Sequence, residues 1–70
     1  MSFRTFVLNY EKEEPTRVRL VQEGNGIRWV PRGVFMPGWK LDPYIDYITT
    51  IWDALHIPWK EDTESGENGE

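Results

Sequence analysis

Cysteine is absent from the chain and histidine occurs once, at His56. No disulfide can staple the fold, and a zinc site built from Cys and His has no ligand set. Serine is nearly as scarce, with Ser2 alone ahead of the acidic C-terminal stretch. A Ser-His-acid or Cys-His nucleophile cannot be assembled from this inventory. No glycine-rich phosphate loop leads into a helix, because Gly24-Asn25-Gly26 precedes a strand-like segment. No apolar run is long enough to span a bilayer. The Met1-Ser2-Phe3-Arg4 start lacks the basic-then-apolar pattern of a secretory signal. The absences together predict a cytoplasmic, non-catalytic protein with no metal and no cofactor.

What the chain does have is aromatic residues and charge, unevenly placed. Seventy residues make one domain at most, at a size where a single core barely offsets chain entropy. Aromatics form 14% of the sequence, four of them tryptophan, and large rings remove much apolar area from water. The net charge of −4 resides in the last eleven residues, where Lys60 faces Glu61, Asp62, Glu64, Glu67 and Glu70. Residues 1–59 are balanced, with seven acids and seven Lys or Arg. The expected organisation is therefore one folded unit over 1–60 and a disordered acidic tail over 61–70, a solubilising segment.

Periodicity assigns the elements. Residues 3–10 are β-branched and aromatic without helical spacing, which predicts a strand. Glu11–Thr16 is a polar turn containing Pro15. Residues 17–22 alternate, with Val18 and Leu20 on one face and Arg17, Arg19 and Val21 on the other. Gly24-Asn25-Gly26 supplies the positive φ angles of a tight hairpin, and Ile27–Val30 is a third strand. Residues 31–41, broken by Pro31, Gly33, Pro37 and Gly38, fit no element well, although Val34–Met36 suits a short fourth strand. Asp42 as N-cap, Pro43 at the first position and Pro58 as terminator bracket a helix. Its apolar stripe is Tyr44, Ile45, Tyr47, Ile48, Ile51, Trp52, Ala54 and Leu55. Asp46, Thr49, Thr50, Asp53 and His56 form its polar face. Trp59 is placed to fold back onto the domain. The predicted class is α+β: a three- to four-stranded antiparallel sheet, β-β-β-(β)-α, with one C-terminal helix packed on one face. Phe6, Leu8, Val18, Leu20, Ile27 and Trp29 should meet that helix.

Candidate functional residues form two groups. Arg32, Phe35, Met36, Trp39 and Lys40 lie in the segment 31–41 and are the residue types enriched at protein–protein hot spots. They point to docking on a larger protein partner by a small accessory or regulatory protein, with Trp39 serving either as contact or as core. Arg17, Arg19 and Arg28 should share the open face of the sheet, where arginines beside Phe3 suit nucleic acid as the alternative partner. A homodimer that completes a small core is a further expectation. Asp46, Asp53 and His56 share the polar helix face, and Glu11, Glu13 and Glu14 share a loop. The i,i+3 spacing of Asp53 and His56 could orient an imidazole or supply a metal-ligand pair, and the glutamates match no Ca²⁺ loop; both sets read as solvated surface.

Overall fold

A computed structural model of the chain describes residues 2–62. Five strands and one helix follow in the order β1 (Phe3–Leu8), β2 (Thr16–Glu23), β3 (Gly26–Val30), β4 (Phe35–Pro37), α1 (Leu41–Ala54) and β5 (Trp59–Glu61). The first four strands form an antiparallel meander. The helix then returns the chain to the opposite edge, giving the spatial order β4-β3-β2-β1-β5. A helix of 14 residues is about 21 Å long, close to the width of five strands set about 4.8 Å apart. The element that crosses the sheet is thus as long as the sheet is wide.

The α+β class holds, with two differences from the expected topology. The sheet has five strands, and the helix is followed by a strand rather than ending the fold. Both β4 and β5 are only three residues long. No alternation can be read over so few positions, and it is long-range pairing that defines these strands: β5 to β1 by Phe6↔Glu61 and Leu8↔Trp59, β4 to β3 by Arg28↔Phe35 and Gly26↔Pro37. Glu61, expected to open the tail, closes β5, and the Asp62 amide donates to the Thr5 carbonyl at 2.8 Å. The rest of the expected tail, 63–70, lies outside the described residues.

Packing follows the strand phase. Phe6, Val18, Leu20 and Ile27 face the helix and are almost fully buried, meeting Leu41, Tyr44, Ile45 and Trp52. The rings interlock edge to face, Phe6 with Trp52 and with Trp59 at 5.8 Å each, and Trp29 with Tyr44 at 6.2 Å. The Trp29 indole N–H donates to the Tyr44 hydroxyl at 3.0 Å, so the polar tips of the half-buried indole and the buried phenol are paired. Burial pushes the Tyr44 phenol up, against the opposing effect of the Trp29 hydrogen bond.

The helix stripe differs in detail. The inward residues are Leu41, Tyr44, Ile45, Ile48, Thr49 and Trp52, at successive three- and four-residue steps. Thr49, expected on the polar face, is buried with its hydroxyl donating to the Ile45 carbonyl at 2.8 Å. Tyr47 and Leu55, expected inside, are exposed. The N-terminus also differs: the capping position is Lys40, without a side-chain bond, and Asp42 lies inside the first turn. The Gln22 side chain of β2 replaces the cap. Its Oε1 accepts from the Leu41 amide at 2.7 Å, and its Nε2 donates to the Gly26 and Trp39 carbonyls. Asp42 still suits the positive helix end and pairs with Arg4 at 3.3 Å.

The helix C-terminus closes as a Schellman turn, with the Ile57 amide on the Trp52 carbonyl and the His56 amide on the Asp53 carbonyl. His56 occupies the left-handed position at φ 60°, where glycine is normal. His56→Gly should therefore raise stability by about 0.5–1 kcal/mol, the left-handed penalty less the entropy of glycine. A thermal melt several degrees above the parent would register it.

Arg4 and Glu61 form a two-pronged pair at 2.9 and 2.7 Å that ties β5 to β1. The hydrogen bonds from Arg4 hold the Glu61 carboxyl below its usual range, against the opposing effect of burial. A depressed carboxyl stabilises the fold above its unfolded value, and this contribution disappears as pH falls through the lower, folded value. Glu61→Gln should cost about 1 kcal/mol at pH 7. Denaturant midpoints of the two proteins should then converge in acid below the ordinary carboxylate range.

Candidate functional site

The same alternation that buries the aliphatics sends a second set of side chains away from α1. On β1 these are Phe3, Thr5 and Val7; on β2, Arg17, Arg19 and Val21; on β3, Arg28 and Val30. Cross-strand register aligns them in rows, Phe3–Val21–Arg28–Phe35 and Thr5–Arg19–Val30, with Val7 between Arg17 and Lys60. No helix covers this face, yet Thr5, Val7 and Val21 are buried. Long arginine stems and two phenyl rings take the place of a second layer.

The arginines are organised by those rings. The Arg19 guanidinium lies 4.6 Å from the Phe3 centroid and that of Arg28 4.9 Å from the Phe35 centroid. Arg28 also donates from Nε to Glu23 at 3.1 Å and from Nη1 to the Gly33 carbonyl. Arg17 pairs with Asp62. Arg19, in contrast, makes no ion pair among the described residues. Ring stacking positions its charge and leaves its donors toward solvent.

Beside Arg19 the face opens into a cavity of about 350 Å³ between Thr5, Arg17, Arg19, Val30, Pro31 and Asp62. Thr5 is only 7% exposed, and its hydroxyl has no hydrogen-bond partner among the described residues. A buried polar group without a partner is uncommon in a folded protein.

Searched against known proteins, the chain matches no family model, no curated protein and no solved structure. Function must therefore be argued from the face itself.

The structure brings Arg17, Arg19 and Arg28 together on the open face and divides the other predicted group. Phe35 joins the arginine face beneath Arg28. Met36, opposite Ile27, packs against the core on the helix side. Trp39 is half-buried there too, stacked on Tyr47 at 5.2 Å and edge-on to Tyr44 at 5.1 Å. Arg32 is exposed beside the β3–β4 turn, and Lys40 is exposed at the helix start. Segment 31–41 thus serves both faces and presents no single patch. Asp53 takes a structural role, its Oδ1 accepting from the Trp59 indole N–H at 2.8 Å. Asp62 and Lys60 are additions to the open face that the sequence reading assigned to the tail or left out.

Gly26 supports the face by close approach and not by turn geometry. The positive φ belongs to Gly24, at 56°. A Cβ on Gly26 would sit 2.5 Å from Phe35 Cζ and 2.7 Å from the Met36 carbonyl oxygen. The backbone atom cannot rotate away. Gly26→Ala should destabilise the fold by about 1–3 kcal/mol, as overpacking does. The expected signature is a lowered denaturation midpoint, together with altered NMR shifts of the Phe35 ring and the Arg28 guanidinium.

Proposed function

We propose that this chain is a non-catalytic accessory module that docks on a larger protein through the open face of its sheet. The observation that carries this reading is Arg19, a stacked guanidinium with no carboxylate partner among the described residues, beside a cavity of mixed polar and apolar lining. Arginine held in one orientation loses little entropy on binding, which is why it recurs at interface hot spots. Arg28, Phe35 and Phe3 extend the contact surface around it. The lack of cysteine supports a cytoplasmic place of action.

Two features favour a protein over nucleic acid as the partner. Arg17 and Arg28 already have carboxylates beside them, Asp62 and Glu23, which phosphates would have to displace. Phe3 and Phe35 have guanidinium groups over their rings, which leaves less of each ring for stacking by a base. A protein surface with acidic groups among polar and apolar ones complements this mixture better.

Tagged parent protein, Arg19→Glu and Tyr47→Ala, the last altering an exposed ring on the helix side, separate the faces when used as baits in the native host. The charge reversal should reduce recovery of the parent's partner about tenfold or more, while the tyrosine variant retains it. Retention by Arg19→Glu with loss by Tyr47→Ala would move the interface to the helix side. Oligonucleotide binding that weakens steeply with salt would instead favour the nucleic-acid reading.

A further inference from the structure

We propose that the cavity between β1, β2 and the end of β3 is an oxyanion site that receives one carboxylate or phosphate group. It would be held by Arg19 and Arg17, with the Thr5 hydroxyl as a third donor. The proposal rests on the docking reading above, for which the cavity would be the specific anchor. Three observations converge on it. Thr5 lines the cavity, is more than nine-tenths buried and has a hydroxyl without a hydrogen-bond partner among the described residues. Arg19 borders the same space with its donors uncommitted among the described residues. Asp62, a third lining residue, places a carboxylate against Arg17, so the chain's own sequence shows that an oxyanion is accommodated at this rim.

Chemistry and size limit the ligand. Among the described residues, two guanidinium groups face one carboxylate across the cavity, an excess of positive charge that disfavours a cation. The side chains of Val30 and Pro31 form an apolar part of the cavity wall. A cavity of about 350 Å³ is at the small end of ligand pockets, enough for the tip of an acidic side chain, a chain-terminal carboxylate or a phosphate group. Arg17 would exchange Asp62 for the ligand, or hold both.

The Thr5 hydroxyl gives a test that separates a ligand site from ordinary packing. Thr5→Val keeps the shape and removes the unpartnered group, so the unliganded protein should melt a few degrees higher. The same change should weaken anion binding about tenfold, the value of a hydrogen bond to a charged group. Titrating the full chain with inorganic phosphate and, separately, acetate, with chloride at matched ionic strength as the control, should give saturable NMR shifts at Thr5, Arg17 and Arg19. The tighter of the two anions identifies the source, a phosphorylated group or a carboxylate. Arg19→Gln should abolish saturation.

Shifts that grow linearly and match those in chloride would overturn the proposal. Equal affinity in Thr5→Val would also overturn it, because a trapped water would then account for the hydroxyl. Loss of partner capture in Arg19→Glu with no anion binding would leave the docking face standing without its pocket. Saturable anion binding with partner capture unchanged in Arg19→Glu would do the reverse.

Discussion

One constraint governs this molecule: strand side chains alternate, and a single helix can cover only one side of a sheet. Phe6, Val18, Leu20 and Ile27 take the covered side and make the core with the helix. Every neighbour of these residues along β1 to β3 is therefore turned outward. On a larger protein a second layer would shelter that face. Here the arginine stems and the rings of Phe3 and Phe35 do so, which is why Val7, Val21 and Thr5 are buried without a helix above them. The charged surface is a direct consequence of the core, since apolar burial on one side selects long amphipathic side chains for the other.

The strands at the two edges depend on side chains that reach across elements. Gln22 extends from β2 to the first amide of the helix and to the carbonyl of Trp39, so the chain leaving β4 and the start of α1 share one amide group. At the other edge Arg4 grips Glu61 and reaches Asp42, joining β1, β5 and the helix N-terminus. β4 and β5 pair over only three residues each, few backbone bonds for an edge strand. Polar contacts with fixed geometry supply what length does not. They also set where Asp62 falls, and so the shape of the cavity beside Thr5.

This division explains which features were legible in the sequence. The phase of β2 could be read because Arg17-Val18-Arg19-Leu20 alternates over enough positions to define two faces. The helix could be read from its stripe and from Pro43 and Pro58, though not its cap, because the Leu41 amide is satisfied from β2, a contact distant in sequence. The strand Trp59–Glu61 was hidden for the same reason. Three residues carry no period, and the partner strand is the first one in the chain. Acidic composition makes Glu61 and Asp62 look like tail, while Glu61 closes β5 against Arg4 and Asp62 follows it, bonded to Thr5 and paired with Arg17. The face that Phe35 takes, beneath Arg28, depends on the β3–β4 register, which a turn containing Pro31 and Gly33 conceals in the sequence.

Charge is segregated by the same geometry. The helix sequence contains Asp42, Asp46 and Asp53 and no lysine or arginine; all three acids are exposed, Asp42 reaching Arg4 and Asp53 reaching Trp59 at the margins of the sheet. Arg17, Arg19, Arg28 and Lys60 lie on the opposite face. The domain thus carries four basic side chains, with Glu23 and Asp62 beside two of them, on the open face of the sheet and three aspartates along the helix. Its faces are separated by more than the Debye length of about 8 Å at physiological salt, since sheet, core and helix all lie between them. An acidic partner surface within that range feels the arginine face without full compensation from the helix aspartates, while a basic one is drawn to the other side. In the proposed docking this difference would bias orientation on encounter. Arg19 does more in this than its single charge implies, because the carboxylates beside Arg17 and Arg28 already offset part of the field of those residues.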